Sequence, residues 1–143
     1  MKPPYPSEHE EQAAYVRWLE LQAVLRKYPD LLIGYANINE QKFAPGETRI
    51  GRIKRLKKLK AQDHKAGVPD FTLPIPRYPY HGLYIEFKSR NPKAMTSDDQ
   101  KHYIKSLTRL GYLTEVCWGS DQAIIVTETY LKLPSWEQYF EDL

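Results

Sequence analysis

The sequence contains little cysteine and no long apolar run, and both shortages exclude classes of protein. With Cys117 as its single cysteine, the 143-residue chain cannot form an internal disulfide or a cysteine-based zinc cluster. This fits a reducing compartment, and we expect a cytoplasmic protein. Apolar runs stay well short of the roughly 20 residues of a membrane span. The first residues also lack the apolar core of a signal peptide, so no membrane partner is expected.

Motifs for nucleophilic catalysis and for nucleotide binding are also missing from the sequence. We find no Ser/His/Asp arrangement and no phosphate-cradling glycine loop, and Cys117 falls in a predicted core strand. The composition, 41% hydrophobic and 27% charged, is typical of a globular protein. The length predicts one domain over residues 1–143, which buries about two-thirds of its unfolded surface. Residues 1–6, with three prolines, are expected to form a loose leader.

An acidic and a basic residue share one face of a predicted strand at residues 83–88. The segment is β-branched and aromatic, and Gly82 precedes it. Successive side chains of a strand point to opposite faces. Glu86 and Lys88 therefore stand side by side, opposite the apolar side chains of the same strand, which are Leu83, Ile85 and Phe87.

A second carboxylate is predicted to lie beside this pair. Asp70 opens a short strand, residues 70–73, that Pro74 stops. If the two strands pair, Asp70 comes near Glu86. Two adjacent carboxylates repel each other, and a bound hard divalent cation commonly neutralises such a pair. The alternative is a solvated Glu-x-Lys pair on an open sheet face. The apolar neighbours on both strands argue against it.

Basic residues are concentrated in one predicted helix, residues 49–60. This segment has no acidic residue, whereas the whole chain carries only +3, so the rest of the chain is net acidic. Such a local charge is typical of a surface that binds DNA phosphates, and a merely solvated basic helix is the alternative. Its apolar residues recur every three positions, which predicts that one face docks on the domain. The predicted DNA-binding residues are Arg49, Arg52, Lys54, Arg55, Lys57, Lys58 and Lys60, with His64 and Lys65 in the approach to Asp70.

The remaining segments predict a mixed α/β domain with a central sheet flanked by helices. Ser7 and Glu10 form a capping-box pattern at the start of a helix that runs to Lys27. We expect a strand over residues 31–36, a polar loop over 37–48 and a stiff link over 74–81. The alternatives for this link are contact with a partner subunit and stacking on an unpaired base through Tyr78 or Tyr80. A helix is expected from Ser97 to the residue before Gly111. A strand over 112–118 and a last helix capped by residues 120–121 and ending at Leu131 follow. The tail offers an apolar patch, Trp136, Tyr139 and Phe140, for closing the core or meeting a second subunit.

The ordered motifs resemble those of a nuclease family. Asp70 followed by Glu86-x-Lys88 is similar to the signature of the PD-(D/E)XK nuclease superfamily. Together with Gly67-Val68-Pro69 before Asp70, Ser97-x-x-Gln100 and Gly111-Tyr112, the set resembles the VRR-NUC branch of that superfamily. The resemblance extends from about Glu8 to Tyr130 and implies a restriction-endonuclease-like PD-(D/E)XK core.

The resemblance also implies an activity and a set of site residues. It implies an endodeoxyribonuclease that uses Mg²⁺ or Mn²⁺, held by Asp70, Glu86, the main-chain carbonyl of Phe87 and Glu8. Glu8 and Gln12 match the acid–glutamine spacing of the family's first helix, with Glu11 as the competing acid. Lys88 and Gln100 complete the catalytic set. Some small stand-alone proteins of this branch act on four-way junctions as homodimers, so the resemblance implies a phage- or bacterium-type intracellular homodimer that cuts branched DNA.

Two other functions fit the same residues. One is a DNA-binding module of this fold that has lost catalysis, although the intact Asp70, Glu86 and Lys88 argue against it. The other is a dimerisation or scaffolding protein with a basic face, which would bind DNA in a salt-dependent way without metal-dependent turnover. Lys101 and Lys105, in the helix that follows Ser97, offer a second surface for the DNA backbone.

Overall fold

Helices and strands are interspersed along the chain in this computed structural model, which describes residues 4–37 and 46–143. In chain order the elements are α1 (Glu8–Leu25), a 3₁₀ segment (Pro29–Ile33), β1 (Tyr35–Ala36), α2 (Arg49–Ala61), β2 (Phe71–Leu73), β3 (Leu83–Lys88), α3 (Asp98–Arg109), β4 (Leu113–Trp118), α4 (Ser120–Leu131) and α5 (Trp136–Glu141). Within the described ranges, no helix combines the length and the apolar character that crossing a membrane requires.

The strands of the described residues form one four-stranded mixed sheet in the order β1-β2-β3-β4. The first three strands are antiparallel neighbours, and Phe71 of β2 lies opposite Ile85 of β3. β3 and β4 run parallel, because α3 carries the chain back across the sheet between them. The predicted central mixed sheet flanked by helices is thereby confirmed.

The core lies between one face of the sheet and helices α1 and α4. Phe71, Ile85 and Phe87 point into it, as the alternation along the strands predicts. The ring of Tyr15 in α1 lies 5.3 Å from that of Phe71 and 5.4 Å from that of Phe87. Its hydroxyl lies 2.8 Å from Thr127 Oγ1 and so connects α1 with α4 inside the core. The opposite face of the sheet, which carries Glu86 and Lys88, is left for α3 and the functional site.

The predicted strand over residues 31–36 is mostly wrong. Pro29 begins a 3₁₀ helix that ends at Ile33, and β1 contains only Tyr35 and Ala36. The fixed φ of proline suits the first turn of a helix. Within this 3₁₀ helix Leu31 is buried in the core, whereas Ile33 is exposed. An apolar run of this length is compatible with either structure, which is why the pattern misled the prediction.

Helix ends account for most of the other differences. The capping box of Ser7 and Glu10 is confirmed, but α1 ends at Leu25, two residues before the predicted end. α4 begins at Ser120 with Gly119 at its N-cap, in the left-handed region at φ 96°, so no side chain at residues 120–121 caps it. A side chain added at Gly119 would also collide with Arg90.

The predicted last helix is followed by one more, α5, which the sequence interpretation treated only as an apolar patch. Ser135 and Gln138 form a capping box at its start. α5 packs on the link between β2 and β3: the ring of Tyr139 stacks on Tyr78 at 3.5 Å, and Trp136 Nε1 donates to the carbonyl of Tyr80 at 3.3 Å. The tail therefore anchors the chain between the two strands that carry the acidic residues.

Candidate active site

The strand register brings the two predicted acidic residues together. Asp70 directly precedes β2, and because Phe71 pairs with Ile85 the register continues to place Asp70 opposite Glu86. The main-chain amide of Phe87 donates a hydrogen bond to Asp70 Oδ2 at 2.7 Å. This bond fixes the carboxylate of Asp70 against β3. The pairing of the three-residue strand β2 with β3 would hold it less firmly. The carbonyl of Phe87 remains a predicted metal ligand.

Glu86 and Lys88 form a buried ion pair on the sheet face opposite the core. Lys88 Nζ lies 3.3 Å from Glu86 Oε1, and the two residues are 4% and 1% exposed. Gln100 of α3 contacts both: its Oε1 accepts from Lys88 Nζ at 2.9 Å, and its Nε2 donates to Glu86 Oε1. The structure therefore brings the predicted Gln100 into direct contact with the pair.

Gln100 holds its place because it also caps α3. The amide of Ser97 donates to Gln100 Oε1 at 2.9 Å, and the amide of Gln100 donates to Ser97 Oγ at 3.2 Å, which is a capping box. The turn before Asp70 packs against this helix end: Gly67 has φ 82°, and a Cβ there would collide with the main chain of Asp99. Glycine is required at this position for both reasons.

Asn37 is a site-positioning residue that the sequence analysis did not single out. Its Nδ2 donates to the carbonyl of Pro69 at 2.6 Å and to Thr72 Oγ1 at 3.0 Å, and its amide donates to the carbonyl of Asp70 at 2.8 Å. The side chain thus fixes the chain on both sides of Asp70 from the neighbouring strand. Asn37 opens the polar, asparagine-containing loop that the family resemblance places beside the active site, but the resemblance gave Asn37 itself no role. Residues 38–45 of that loop lie outside the described residues.

The two candidate acids of α1 have different surroundings. Glu8 is exposed and lines a cavity of about 520 Å³ together with Asp70, Glu86 and Lys65. Glu11, one turn further along the helix, is buried, and it accepts from Arg90 Nε at 2.7 Å and from the amide of Ser120 at 2.6 Å. Burial by itself would raise the pKa of Glu11, but these donors hold it below its usual value. Glu11 is therefore committed to the fold, and Glu8 is the acid of α1 that faces the site.

The electrostatics of the site disfavour two ionised carboxylates. Burial, reinforced by the charge of Asp70, raises the pKa of Glu86 to about 8, although Lys88 opposes the shift. Burial also raises the pKa of Asp70; the Phe87 amide opposes this, and the charge of Glu8 adds to it. A site that resists ionisation of both carboxylates is a site where a cation would be stabilising.

The donor set fits a hard divalent cation that keeps part of its water shell. Glu86 Oε2 is buried and has no hydrogen-bond partner in the described part of the chain. Within that part, no group of three or more His, Cys, Asp or Glu side chains is arranged to enclose a metal. Mg²⁺ is commonly held by only one or two carboxylates, with water and substrate phosphate completing its octahedron. Asp70 and Glu86, with Glu8 at the cavity edge, match that kind of site.

The predicted basic helix forms but does not dock as expected. No side chain of α2, which lies wholly within the described residues, is buried, and Ile50 and Ile53 are 68% and 46% exposed. The expectation that its whole apolar stripe packs on the domain is wrong for this chain alone, because Leu56 and Leu59 are only partly buried and Ile50 and Ile53 are exposed. Arg55 is engaged by Glu47 at 2.7 Å, and Lys65 by Asp63, so these two cations are already paired.

The other predicted DNA-binding residues of α2 are exposed or partly exposed along the helix. They are Arg49, Arg52, Lys54, Lys57, Lys58 and Lys60, and His64 follows them at partial exposure. Lys101 and Lys105 are exposed on α3, the helix that begins at the cavity. The structure thus presents two basic surfaces, one on α2 and one on α3.

These features define the chain as a nuclease domain of the PD-(D/E)XK type: a mixed sheet, an acidic pair across β2 and β3, and a lysine two residues after the second acid. The model of the VRR-NUC domain matches residues 7–121, which include every element from α1 to β4. The chain belongs to the VRR-NUC domain family, and its function is of the nuclease type.

A solved structure supports the same assignment. It is described as a VRR_NUC domain protein, is 28% identical in sequence, and superimposes with a TM-score of 0.73 over 94% of this chain and 94% of its own. Comparison with curated proteins gives no match. The family and the fold expected from the sequence motifs are therefore confirmed.

Proposed function

We propose that this protein is an endodeoxyribonuclease that depends on Mg²⁺ or Mn²⁺ and hydrolyses phosphodiester bonds of branched DNA. The observation that carries the proposal is the buried carboxylate of Glu86, opposite Asp70 and paired with Lys88 at 3.3 Å. A buried ion pair rarely stabilises a fold more than apolar residues would. A lysine beside two opposed carboxylates is instead an arrangement suited to hydrolysis of a phosphodiester.

Each residue of the site has a role that follows from its contacts. Asp70 and Glu86, with the Phe87 carbonyl and Glu8, would hold the metal, which supplies a Lewis acid that neutralises phosphodiester charge and increases the acidity of water. Lys88 positions or deprotonates the attacking water, or stabilises the developing charge on phosphorus. Gln100 holds Lys88 and Glu86 in one orientation, since it bonds both.

The charge distribution supports DNA as the substrate. The basic residues of α2 leave the rest of the chain net acidic, so the attraction for phosphate is local. The 520 Å³ cavity between α1 and the start of α3 lies next to these cations through Lys65. Lys65 follows the end of α2 by four residues, so the chain leads from the basic helix directly to the cavity that holds Asp70 and Glu86.

We further propose that the active species is a homodimer that cuts four-way junctions or other branched DNA. Two related cuts require two sites, and a two-fold dimer supplies them symmetrically. The exposed apolar side chains Ile50 and Ile53 support an additional contact in the assembled protein. Light scattering of the purified chain, with and without junction DNA, tests the stoichiometry.

A cleavage assay tests the catalytic proposal. Labelled four-way junctions, flaps and linear duplexes are incubated with the protein and Mg²⁺, Mn²⁺, Ca²⁺ or a chelator. We expect cleavage with Mg²⁺ or Mn²⁺ only, and none by Asp70→Asn or Glu86→Gln, which should still bind DNA in chelator.

Asp142→Asn, at an exposed position after α5, is the matched control and should cut like the wild type. Salt-dependent binding without turnover in any metal would identify an inactive DNA-binding or scaffolding module of the same fold. Cleavage that persists in Asp70→Asn would exclude the proposed metal ligands.

A further inference from the structure

A row of tyrosines continues the sheet face that carries the acidic pair. In the register, Tyr35 of β1 pairs with Thr72, Thr72 pairs with Tyr84 of β3, and Tyr84 pairs with Thr114. This row is two residues along β3 from Glu86, which corresponds to about 7 Å on the same face. The nuclease site therefore borders directly on aromatic side chains.

Four tyrosines from different elements meet here and are called the tyrosine strip: Tyr35, Tyr84, Tyr103 and Tyr112. The ring of Tyr84 lies 5.4 Å from that of Tyr112 at an angle of 86°. Burial raises the pKa of Tyr84, and the phenols of Tyr35, Tyr112 and Tyr103 are near enough to raise it further. Tyr35 is 51% exposed and offers its ring to solvent at the edge of the sheet.

One cation lies beside the strip, and two more are exposed on another face of the helix that carries Tyr103. Lys65, which lines the cavity, lies close enough to Tyr103 to interact with it electrostatically. Lys101 and Lys105 are exposed on the same helix as Tyr103, and that helix has no acidic residue after Asp99. Aromatic rings combined with a basic surface are what proteins use to hold unpaired nucleotides, whose bases stack on the rings while the phosphates meet the cations.

We infer that the tyrosine strip stacks an unpaired nucleotide next to the phosphodiester bond held at Asp70 and Glu86. This rests on the proposed nuclease function and specifies its substrate class: DNA with unpaired nucleotides beside the cleavage position. In an intact duplex, neighbouring base pairs cover the faces of each base, and exposing one costs a few kcal/mol. The strip therefore favours branch points, gaps and flaps over continuous duplex.

The test compares two DNAs in Ca²⁺ without turnover: a continuous duplex, and the same duplex with three unpaired nucleotides, one of them 2-aminopurine. Tyr35→Ala should weaken affinity for the second DNA roughly 5- to 150-fold, the range for one stacked base. Affinity for the continuous duplex should be unchanged. Tyr35→Phe keeps the ring and should bind like the wild type, with the same change in 2-aminopurine fluorescence.

Phe140→Ala is the matched control, since Phe140 is also aromatic and is 59% exposed on α5, outside the strip. Equal affinities of Tyr35→Ala and the wild type for the DNA with unpaired nucleotides would overturn the inference. So would a loss that is the same for both DNAs, or a loss in Tyr35→Phe as large as in Tyr35→Ala. Because binding is measured without cleavage, failure of the nuclease assay and failure of this test are separate results.

Discussion

Lys88 Nζ lies 3.3 Å from Glu86 Oε1, in a place where both side chains are almost completely shielded from water. The two charges therefore control each other: the ammonium keeps the carboxylate more acidic than burial alone would allow. A change at either residue acts on the other, and this coupling determines what the following variants should show.

Lys88→Ala separates catalysis from metal binding. Because an ammonium group is not a metal ligand, the affinity for Mg²⁺ should change little, whereas the single-turnover cleavage rate should fall by about 10²–10⁴-fold. Lys93→Ala, at an exposed position after the same strand, is the control and should retain the wild-type rate. A wild-type rate in Lys88→Ala would instead indicate a lysine that only balances charge.

Without divalent ions, the free energy of unfolding should fall as the pH rises from about 5 to 8. The pKa of Glu86 is raised from its ordinary 4.5 to about 8, so between these values the folded protein retains a proton that the unfolded chain has released. The contribution of protonated Glu86 to the free energy of unfolding is fully present below the ordinary pKa of 4.5, and it is lost as the pH rises through the pKa of about 8 in the folded protein. Urea unfolding in chelator at a series of pH values measures this.

The side chain of Glu86→Gln cannot ionise, so this variant should show a flatter dependence of the free energy of unfolding on pH. Added Mg²⁺ should stabilise the wild-type protein, most strongly at the upper end of the pH range. Glu141→Gln, an exposed position in α5, is the control and should follow the wild type. Parallel curves for wild type and Glu86→Gln would show that Glu86 titrates normally.

Lys54→Ala combined with Lys58→Ala tests α2 as the DNA-binding surface. Both lysines are exposed, and removing a cation that binds a phosphate should reduce the slope of log affinity against log salt by roughly 0.9, or about 1.8 for the pair. Binding should weaken alike for all sequences, since phosphate contacts do not read bases. Binding of the wild type and the double variant at several salt concentrations in Ca²⁺ measures the slopes.

The control for this experiment is Lys27→Ala combined with Lys132→Ala, two exposed or partly exposed lysines outside α2. Its slope should match that of the wild type. If the α2 variant also matches, DNA enters by the surface that carries Lys101 and Lys105.

Asn37→Ala should slow cleavage although Asn37 contacts neither candidate metal ligand through its side chain. Its hydrogen bonds to Pro69 and Thr72 hold the turn that presents Asp70, and each is worth about 0.5–1.5 kcal/mol of stability. We expect a lower single-turnover rate at saturating Mg²⁺ in protein that is still folded. Asn37→Asp removes the same donor and should behave alike.

Thr127→Val provides a control for stability alone. It removes the hydrogen bond with Tyr15 in the core, between α1 and α4, at a similar cost in free energy of unfolding. It should cut at the wild-type rate. If Asn37→Ala does so as well, Asn37 stabilises the fold without positioning Asp70.

The acidic pair could be predicted from the sequence because the necessary information is local. Alternation along residues 83–88 places Glu86 and Lys88 on one face, and the apolar partners on the other face require that this face is opposite the core. Asp70 follows from the pairing of two short strands joined by a proline-rich link. The confirmed capping box at Ser7 and the confirmed N-cap at Ser97 are local signals of the same kind.

The parts that could not be predicted depend on contacts between distant segments. Asn37 acts on Pro69 and Thr72 more than 30 residues away, and nothing in its own segment distinguishes it from other loop asparagines. The docking of α2 was mispredicted because an apolar stripe shows which side would be buried but not whether a partner is present. The 3₁₀ segment at Pro29 was missed for a similar reason, since a short apolar run fits more than one structure.

Because Gln100 both caps α3 and bonds the charged pair, the local stability of the site depends on that of the helix end. The same amide closes the first turn of α3 through Ser97 and orients Glu86 and Lys88. Helix ends open locally at a lower free energy than the core does, and each opening here would release both charged groups at once. Any metal or DNA that holds Glu86 in place must therefore also slow hydrogen exchange at the amide of Gln100, so one backbone proton reports the occupancy of the whole site.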